Sequence, residues 1–175
     1  MKLPSNSREF FERSYLVATG QKIDYDSLPR TANGKPYVPD GRKFSISHTE
    51  DFWAVTIADE CETEEVGMDI ETRQHAKKLT PRMLRRILAP GEKAVNGDYL
   101  NNFVIKEAYF KMTGEGMSGG FKNYDANELI KKYRAADLSD DQYVWWILQG
   151  LNLWPYECES YALANWAKDP KSMIK

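Results

Sequence analysis

The 175-residue chain holds only two cysteines, Cys61 and Cys158. They give neither a disulfide framework nor a metal-site spacing, and two reduced thiols point to a cytoplasmic protein. Long apolar runs are absent too. The longest, Val144 to Leu148, falls far short of the roughly 20 residues needed to cross a bilayer. The opening Met1-Lys2-Leu3-Pro4-Ser5-Asn6 lacks the apolar stretch of a signal peptide. Charge of one sign is nearly balanced, and a net charge of −2 argues against broad nucleic-acid binding while leaving room for a local basic patch. Phosphate-cradling glycine loops of the Walker or dinucleotide type do not occur; Gly114-Glu115-Gly116 lacks the rest of those patterns. Nor is there a nucleophile elbow, a Ser/His/Asp signature or an indicated Cys/His pairing.

What is present is apolar and aromatic enough to fold. Hydrophobic residues make up 42% and charged ones 29%, with 5 Trp, 10 Tyr and 7 Phe. That excludes a disordered chain, a collagen-like repeat and a coiled coil. One domain over residues 1–175 is expected, burying about 70% of its unfolded surface.

The residue pattern predicts a helix over 7–20, capped by Ser7, carrying an apolar stripe of Phe10, Phe11, Leu16 and Val17, and stopped by Gly20. A turn-rich loop follows through Asn33-Gly34-Lys35-Pro36. Phe44 to His48 alternates as a half-buried strand, turns at Thr49-Glu50-Asp51, and pairs with Phe52 to Ala58 in a hairpin. An acidic run, Asp59 to Glu65, reads as a solvated connection. Thr80-Pro81 opens a short helix to Ala89. Asn101-Asn102 is positioned to cap a helix through Met112, with Thr113-Gly114 as its stop. Tyr143 to Leu151 and Tyr161 to Trp166 read as strands. A helix followed by strands, twice over, gives an α+β chain built from a duplicated unit of about 85 residues, with halves near 1–95 and 96–175.

Within Gly67-Met68-Asp69-Ile70-Glu71, an extended backbone puts Val66, Met68 and Ile70 on one face and Gly67, Asp69 and Glu71 on the other. Two carboxylates then share a face beside a glycine that leaves room for a ligand. Such hard oxygen donors suit Mg²⁺; an amphipathic strand with its acids in water has the same pattern. Glu107 sits among Phe103, Val104, Phe110 and Lys111 at helical spacing, on a face that is mostly apolar. A carboxylate there requires a partner, which either Lys111 or a metal supplies. Ser47 and His48 end a strand with two groups able to donate to phosphate oxygens, although a lone histidine in that position is more often structural. Arg82, Arg85 and Arg86 share one face of the helix after Pro81, as a solvated surface or as a patch for an acidic protein partner.

Taken in order, Asn33-Gly34-Lys35-Pro36, Phe44-Ser45-Ile46-Ser47-His48, Val66 to Glu71 and Val104 to Lys111 resemble the 4′-phosphopantetheinyl transferases, in particular the type that activates peptide synthetases such as surfactin synthetase. The resemblance covers roughly residues 8–166. It implies two similar α+β halves about a pseudo-two-fold axis, with coenzyme A in the cleft between them. It also implies transfer of the phosphopantetheine arm of coenzyme A to a serine of an apo carrier protein, with release of adenosine 3′,5′-bisphosphate. Carried onto this sequence, Asp69, Glu71 and Glu107 are expected to hold Mg²⁺, and carboxylates alone do not separate Mg²⁺ from Mn²⁺. Glu107 is expected to take the serine proton and Lys111 to offset charge on the pyrophosphate. Ser47 and His48 are expected to grip its oxygens, with Lys35 near the nucleotide.

Three departures stand out. Phe103 and Val104 replace the family's Trp followed by Ser or Thr, and Met68 replaces an isoleucine. Longer relatives also carry N-terminal lysines for the coenzyme's 3′-phosphate, for which only Lys2, Arg8 and Arg13 could substitute here. Weaker or rearranged nucleotide binding is therefore expected. Two other functions use the same residues: a Mg²⁺-dependent phosphotransferase acting on another diphosphate, and a non-catalytic relative that binds coenzyme A or a carrier.

Overall fold

A computed structural model describes residues 5–49, 52–58, 65–71, 79–116, 120–137, 143–149 and 162–167. The elements are α1 (Ser7–Thr19), β1 (Lys43–His48), β2 (Phe52–Ala58), β3 (Glu65–Glu71), α2 (Pro81–Ile87), α3 (Tyr99–Thr113), α4 (Ala126–Lys132), β4 (Arg134–Asp137), β5 (Tyr143–Gln149) and β6 (Ala162–Ala167), with short 3₁₀ turns at Tyr25–Ser27, Val95–Gly97 and Phe121–Asn123. The mixture of helices and antiparallel strands is the expected α+β class. No helix among the described residues is long and apolar enough to cross a membrane. The expected acidic connection up to Glu64, the turn at Glu50-Asp51, Cys61, Cys158, His75 and Lys2 lie outside the described residues.

The strands form two three-stranded antiparallel sheets, in the orders β1-β2-β6 and β3-β5-β4. Each sheet draws strands from both ends of the chain. The β1–β2 hairpin has the expected bounds, with His48 opposite Trp53. Helix α1 packs on the first sheet and α3 on the second. Two apolar clusters result, one around Phe10, Phe11, Tyr15, Phe44 and Val55, the other around Leu100, Val104, Ala108, Phe110 and Leu129.

The α1 stripe differs from the expected one. Phe10, Phe11 and Tyr15 are buried, whereas Leu16 is 40% and Val17 87% exposed. Positions 11 and 15 are one turn apart and face the sheet, and the helix rotates residues 16 and 17 away from it. Its cap is Asn6, whose side chain accepts from the Glu9 N–H, rather than Ser7. Asn101 and Asn102 do not cap α3 either; Asp98 does. Both asparagines are buried inside the helix, where Asn102 accepts from the Val95 N–H at 2.9 Å and donates to Glu92 Oε1 at 2.8 Å, and Asn101 donates to the Val95 carbonyl at 3.0 Å. Tertiary partners satisfy amides that would otherwise favour a helix end.

Strands β1 and β3 bring the two sheets together. Ser45 and Ser47 are 5% and 3% exposed, so β1 buries the face expected to be polar. Ser45 Oγ accepts from the Met68 N–H at 3.0 Å and donates to the Met68 carbonyl at 3.4 Å, and Ser47 Oγ accepts from the Ile70 N–H at 3.2 Å. Serine hydroxyls here stand in for a backbone ladder, meeting the demand that buried N–H groups be paired.

Candidate active site

Strand β3 is extended as expected, and both of its faces are covered. Val66, Met68 and Ile70 are buried, and so is Asp69 at 5% exposure, which removes the reading of an acid in open water. Gly67 does not leave room for a ligand. A Cβ there would meet the Ala108 carbonyl oxygen at 1.9 Å and Met112 N at 2.6 Å, so the space is filled by the α3 backbone. The absent side chain lets helix and strand touch, and that contact sets α3 residues 107 and 111 beside Asp69.

Lys111 Nζ donates to Asp69 Oδ1 at 2.6 Å and to Ser47 Oγ at 2.9 Å. Ser47 Oγ donates to the same Oδ1 at 2.6 Å. The Ser47 hydroxyl therefore uses its one hydrogen on Asp69 and its lone pairs on Lys111 and the Ile70 N–H. Lys111 ion-pairs with Asp69 rather than with Glu107 one turn back on its own helix. The Glu107 carboxyl is pushed up from 4.5 to about 7, first by burial, then by the charge of Asp69, with Lys111 opposing and Glu71 adding to the rise. Asp69 and Glu71 thus both act on Glu107 electrostatically.

Among the described residues no group of three or more His, Cys, Asp or Glu side chains is arranged to hold a metal ion. The donor chemistry suits a hard divalent cation, since the acids repel and a cation would relieve them. In the present arrangement a lysine ammonium carries out part of that compensation.

Glu107 and Lys111 line one wall of a cavity of about 360 Å³. Its other walls are Asn33 to Pro36, Phe44 to Ile46 on β1, Phe110, Gly114 and Tyr25. Lys35 reaches the cavity, but its ammonium is tied to Glu65 and to the Met112 carbonyl at 2.7 Å, clamping the loop to the end of α3. The structure does not bring His48 into this cavity. It is exposed and borders a second cavity with Ser5, Asn6, Ser7 and Trp53. Arg8 pairs with Asp26 at 2.6 Å and lies 5.5 Å from the centre of the Tyr25 ring, with Arg30 5.9 Å from the same ring. Arg82, Arg85 and Arg86 are exposed on α2, with Met83 beside them at 37% exposure.

The sequence reading missed Tyr25, which no motif marks because it stands on an isolated 3₁₀ turn. It also missed the ion pair behind the site. Lys106 is fully buried and donates to Glu92 Oε2 at 2.5 Å and to the Ile87 carbonyl at 2.8 Å. Burial pulls the Lys106 ammonium below its usual range. Glu92 also accepts from the N–H groups of Ala89 at 2.6 Å and Ala126 at 2.9 Å, joining α3, α4 and the loop between α2 and α3. A lysine directly before Glu107, inside an apolar helix, was the available signal.

Comparison with known proteins gives a match between residues 65–165 and the 4′-phosphopantetheinyl transferase superfamily (ACPS). The chain belongs to that superfamily. The match runs from the first residue of β3 into β6 and includes Asp69, Glu71, Glu107 and Lys111, while Arg8, Lys35, Ser47 and His48 precede it. A curated protein of Synechocystis sp., named "Putative 4'-phosphopantetheinyl transferase slr0495", is 27% identical over 128 residues, covering 64% of this chain and 49% of that protein. The chain therefore spans about half the length of this superfamily relative.

Proposed function

We propose that this protein transfers the 4′-phosphopantetheine arm of coenzyme A to a serine of an apo carrier protein, as a phosphopantetheinyl transferase of the surfactin-synthetase-activating type. The observation that carries the reading is Glu107: a carboxyl poised near neutrality, on the wall of a cavity, in the segment matched by the superfamily. With no cation bound, a carboxyl with a pKa of about 7 is matched to removing a proton near neutral pH. In the two-half arrangement that goes with this reading, coenzyme A lies in the cavity, which β1 and α3 border.

In the reaction, the carrier serine oxygen attacks the phosphorus that bears the pantetheine. Its P–O bond forms as the bond to the bridging oxygen breaks, and adenosine 3′,5′-bisphosphate leaves with the electron pair. Glu107 receives the serine proton. Lys111, beside the cavity, offers an ammonium to the charge gathering on the leaving phosphate. Asp69, Glu71 and Glu107 would hold Mg²⁺ or Mn²⁺, which when bound supplies charge neutralisation at the pyrophosphate. Ser47 acts by holding Asp69, and Lys35 by fixing the loop that borders the nucleotide. Arg8 and His48 are left to outer parts of the coenzyme. The exposed Arg82, Arg85 and Arg86 suit an acidic carrier surface. A cytoplasmic location accords with this substrate.

Mass spectrometry of several apo carrier proteins incubated with coenzyme A, Mg²⁺ and this protein tests the reading. A phosphopantetheine mass increment on the carrier serine is expected. No increment on any carrier, with coenzyme A bound normally, would transfer the weight to a non-catalytic binding role.

A further inference from the structure

Helix α2 has seven residues, of which Ile87 alone is buried, and a helix so short is marginal without tertiary support. Helix α3 is held far more firmly. Ten of its fifteen residues are buried, and its backbone lies directly on β3 at Gly67. The two helices are joined at the last residue of α2. Lys106 Nζ, on a side chain with 0% exposure, donates to the Ile87 carbonyl at 2.8 Å and to Glu92 Oε2 at 2.5 Å. The same Glu92 oxygen accepts from the Ala89 N–H at 2.6 Å. The ion pair thus grips the chain leaving α2 by one carbonyl and one N–H, and a cation at that carbonyl suits the C-terminal end of a helix. Glu107 follows Lys106 on α3, turned about 100° around the helix axis. Lys106 therefore faces α2 while Glu107 faces the cavity. Because β3 holds α3, the tie positions α2, and with it the exposed Arg82, Arg85 and Arg86.

Building on the transferase reading, in which an acidic carrier docks on those arginines, we propose that Lys106 is a positioning residue for the carrier. It fixes the docking face at one distance and angle from Glu107, so that a carrier seated on α2 presents its serine at the cavity. Phosphoryl transfer depends on such positioning, which is lost when a docked partner swings with a loose helix. Lys106 touches neither co-substrate; its effect runs through the Ile87 carbonyl.

Glu92→Gln/Lys106→Met removes the tie without stranding a buried charge, and urea unfolding establishes that the variant is folded. Its kcat/KM for an apo carrier is expected to fall at least about tenfold, with its affinity for coenzyme A kept within about twofold. The decisive comparison adds Arg85→Gln and Arg86→Gln together. In the unsubstituted protein this pair is expected to lower kcat/KM for the carrier about tenfold, and in the untied variant less than about twofold, since a swinging face no longer directs the serine. Equal losses in the two backgrounds leave Lys106 a merely structural role and overturn the proposal. An unimpaired untied variant overturns it too, as do arginines whose removal costs nothing. Should the untied variant not fold, amide hydrogen exchange of the unsubstituted protein decides. The Leu88 N–H, bonded to the Leu84 carbonyl at 2.9 Å, is expected to exchange at least about a hundredfold slower than in a free peptide, and slower still with carrier bound. Rapid exchange there, or no response to the carrier, overturns the proposal. Each of these contrary results, obtained with a carrier that is still modified, leaves the transferase reading standing. No modification of any carrier by the unsubstituted protein removes both.

Discussion

Gly67 on β3 and Ala108 on α3 touch through their backbones, with an added Cβ at Gly67 standing 1.9 Å from the Ala108 carbonyl oxygen. This approach is what carries Glu107 and Lys111 to the level of Asp69. Gly67→Ala would push the helix off the strand, and backbone on both sides of the clash has no rotamer to yield. The expected loss is about 3 kcal/mol in urea unfolding, at the upper end of overpacking costs. A loss under about 0.5 kcal/mol, within the range of an innocuous surface change, would mean the helix is free to shift.

Lys106 and Glu92 predict a strong coupling. Their side chains are both 0% exposed, and Lys106→Met leaves Glu92 charged in the interior. The single substitution is expected to cost about 3–5 kcal/mol, and adding Glu92→Gln to recover part of it. A double-mutant cycle by urea unfolding measures this, and simple additivity would refute the coupling.

Much of this architecture was readable from the chain. The strand around Asp69 and the helix around Glu107 announce themselves by alternation and by apolar spacing, because burial fixes both patterns. The polar residues that tertiary contacts bury were not readable. Ser45 and Ser47 look solvent-facing until β3 arrives to use their hydroxyls. Asn101 and Asn102 look like caps until Glu92, Lys93 and Val95 fold onto them. Helix α4 went unseen because it has only seven residues, and its first N–H is satisfied by Glu92, 34 positions earlier. The Lys111–Asp69 pair spans 42 residues and has no local signature, so the nearer Glu107 was the natural but incorrect partner.

Glu107 makes stability depend on pH. Its folded pKa of about 7 lies above the ordinary 4.5, so between those values the folded chain keeps a proton that the unfolded chain has lost. Stability therefore falls as pH rises through this window, and the penalty is complete above the folded value. In cation-free protein, Glu107→Gln is expected to be more stable than the unsubstituted chain at pH 8 by about 1–2 kcal/mol, a figure discounted for partial exposure. The advantage should vanish near pH 4. Urea unfolding at both pH values decides it, and an equal difference at the two would contradict the shift.

Ser45→Ala strips the partner from the Met68 N–H at the junction of the sheets. Leaving a buried donor unpaired is expected to cost about 1–3 kcal/mol. Amide hydrogen exchange at Met68 should quicken in step. Unchanged protection there would mean that the hydroxyl does not hold the two strands together.

The most direct test follows one turnover on an apo carrier, with coenzyme A saturating and Mg²⁺ present. The unsubstituted protein is expected to place the phosphopantetheine mass on the carrier serine. Glu107→Gln is expected to slow that step at least about a hundredfold while its affinity for coenzyme A stays within a few-fold. An equally fast step in the Gln variant would contradict the assignment of Glu107 as the group that takes the proton.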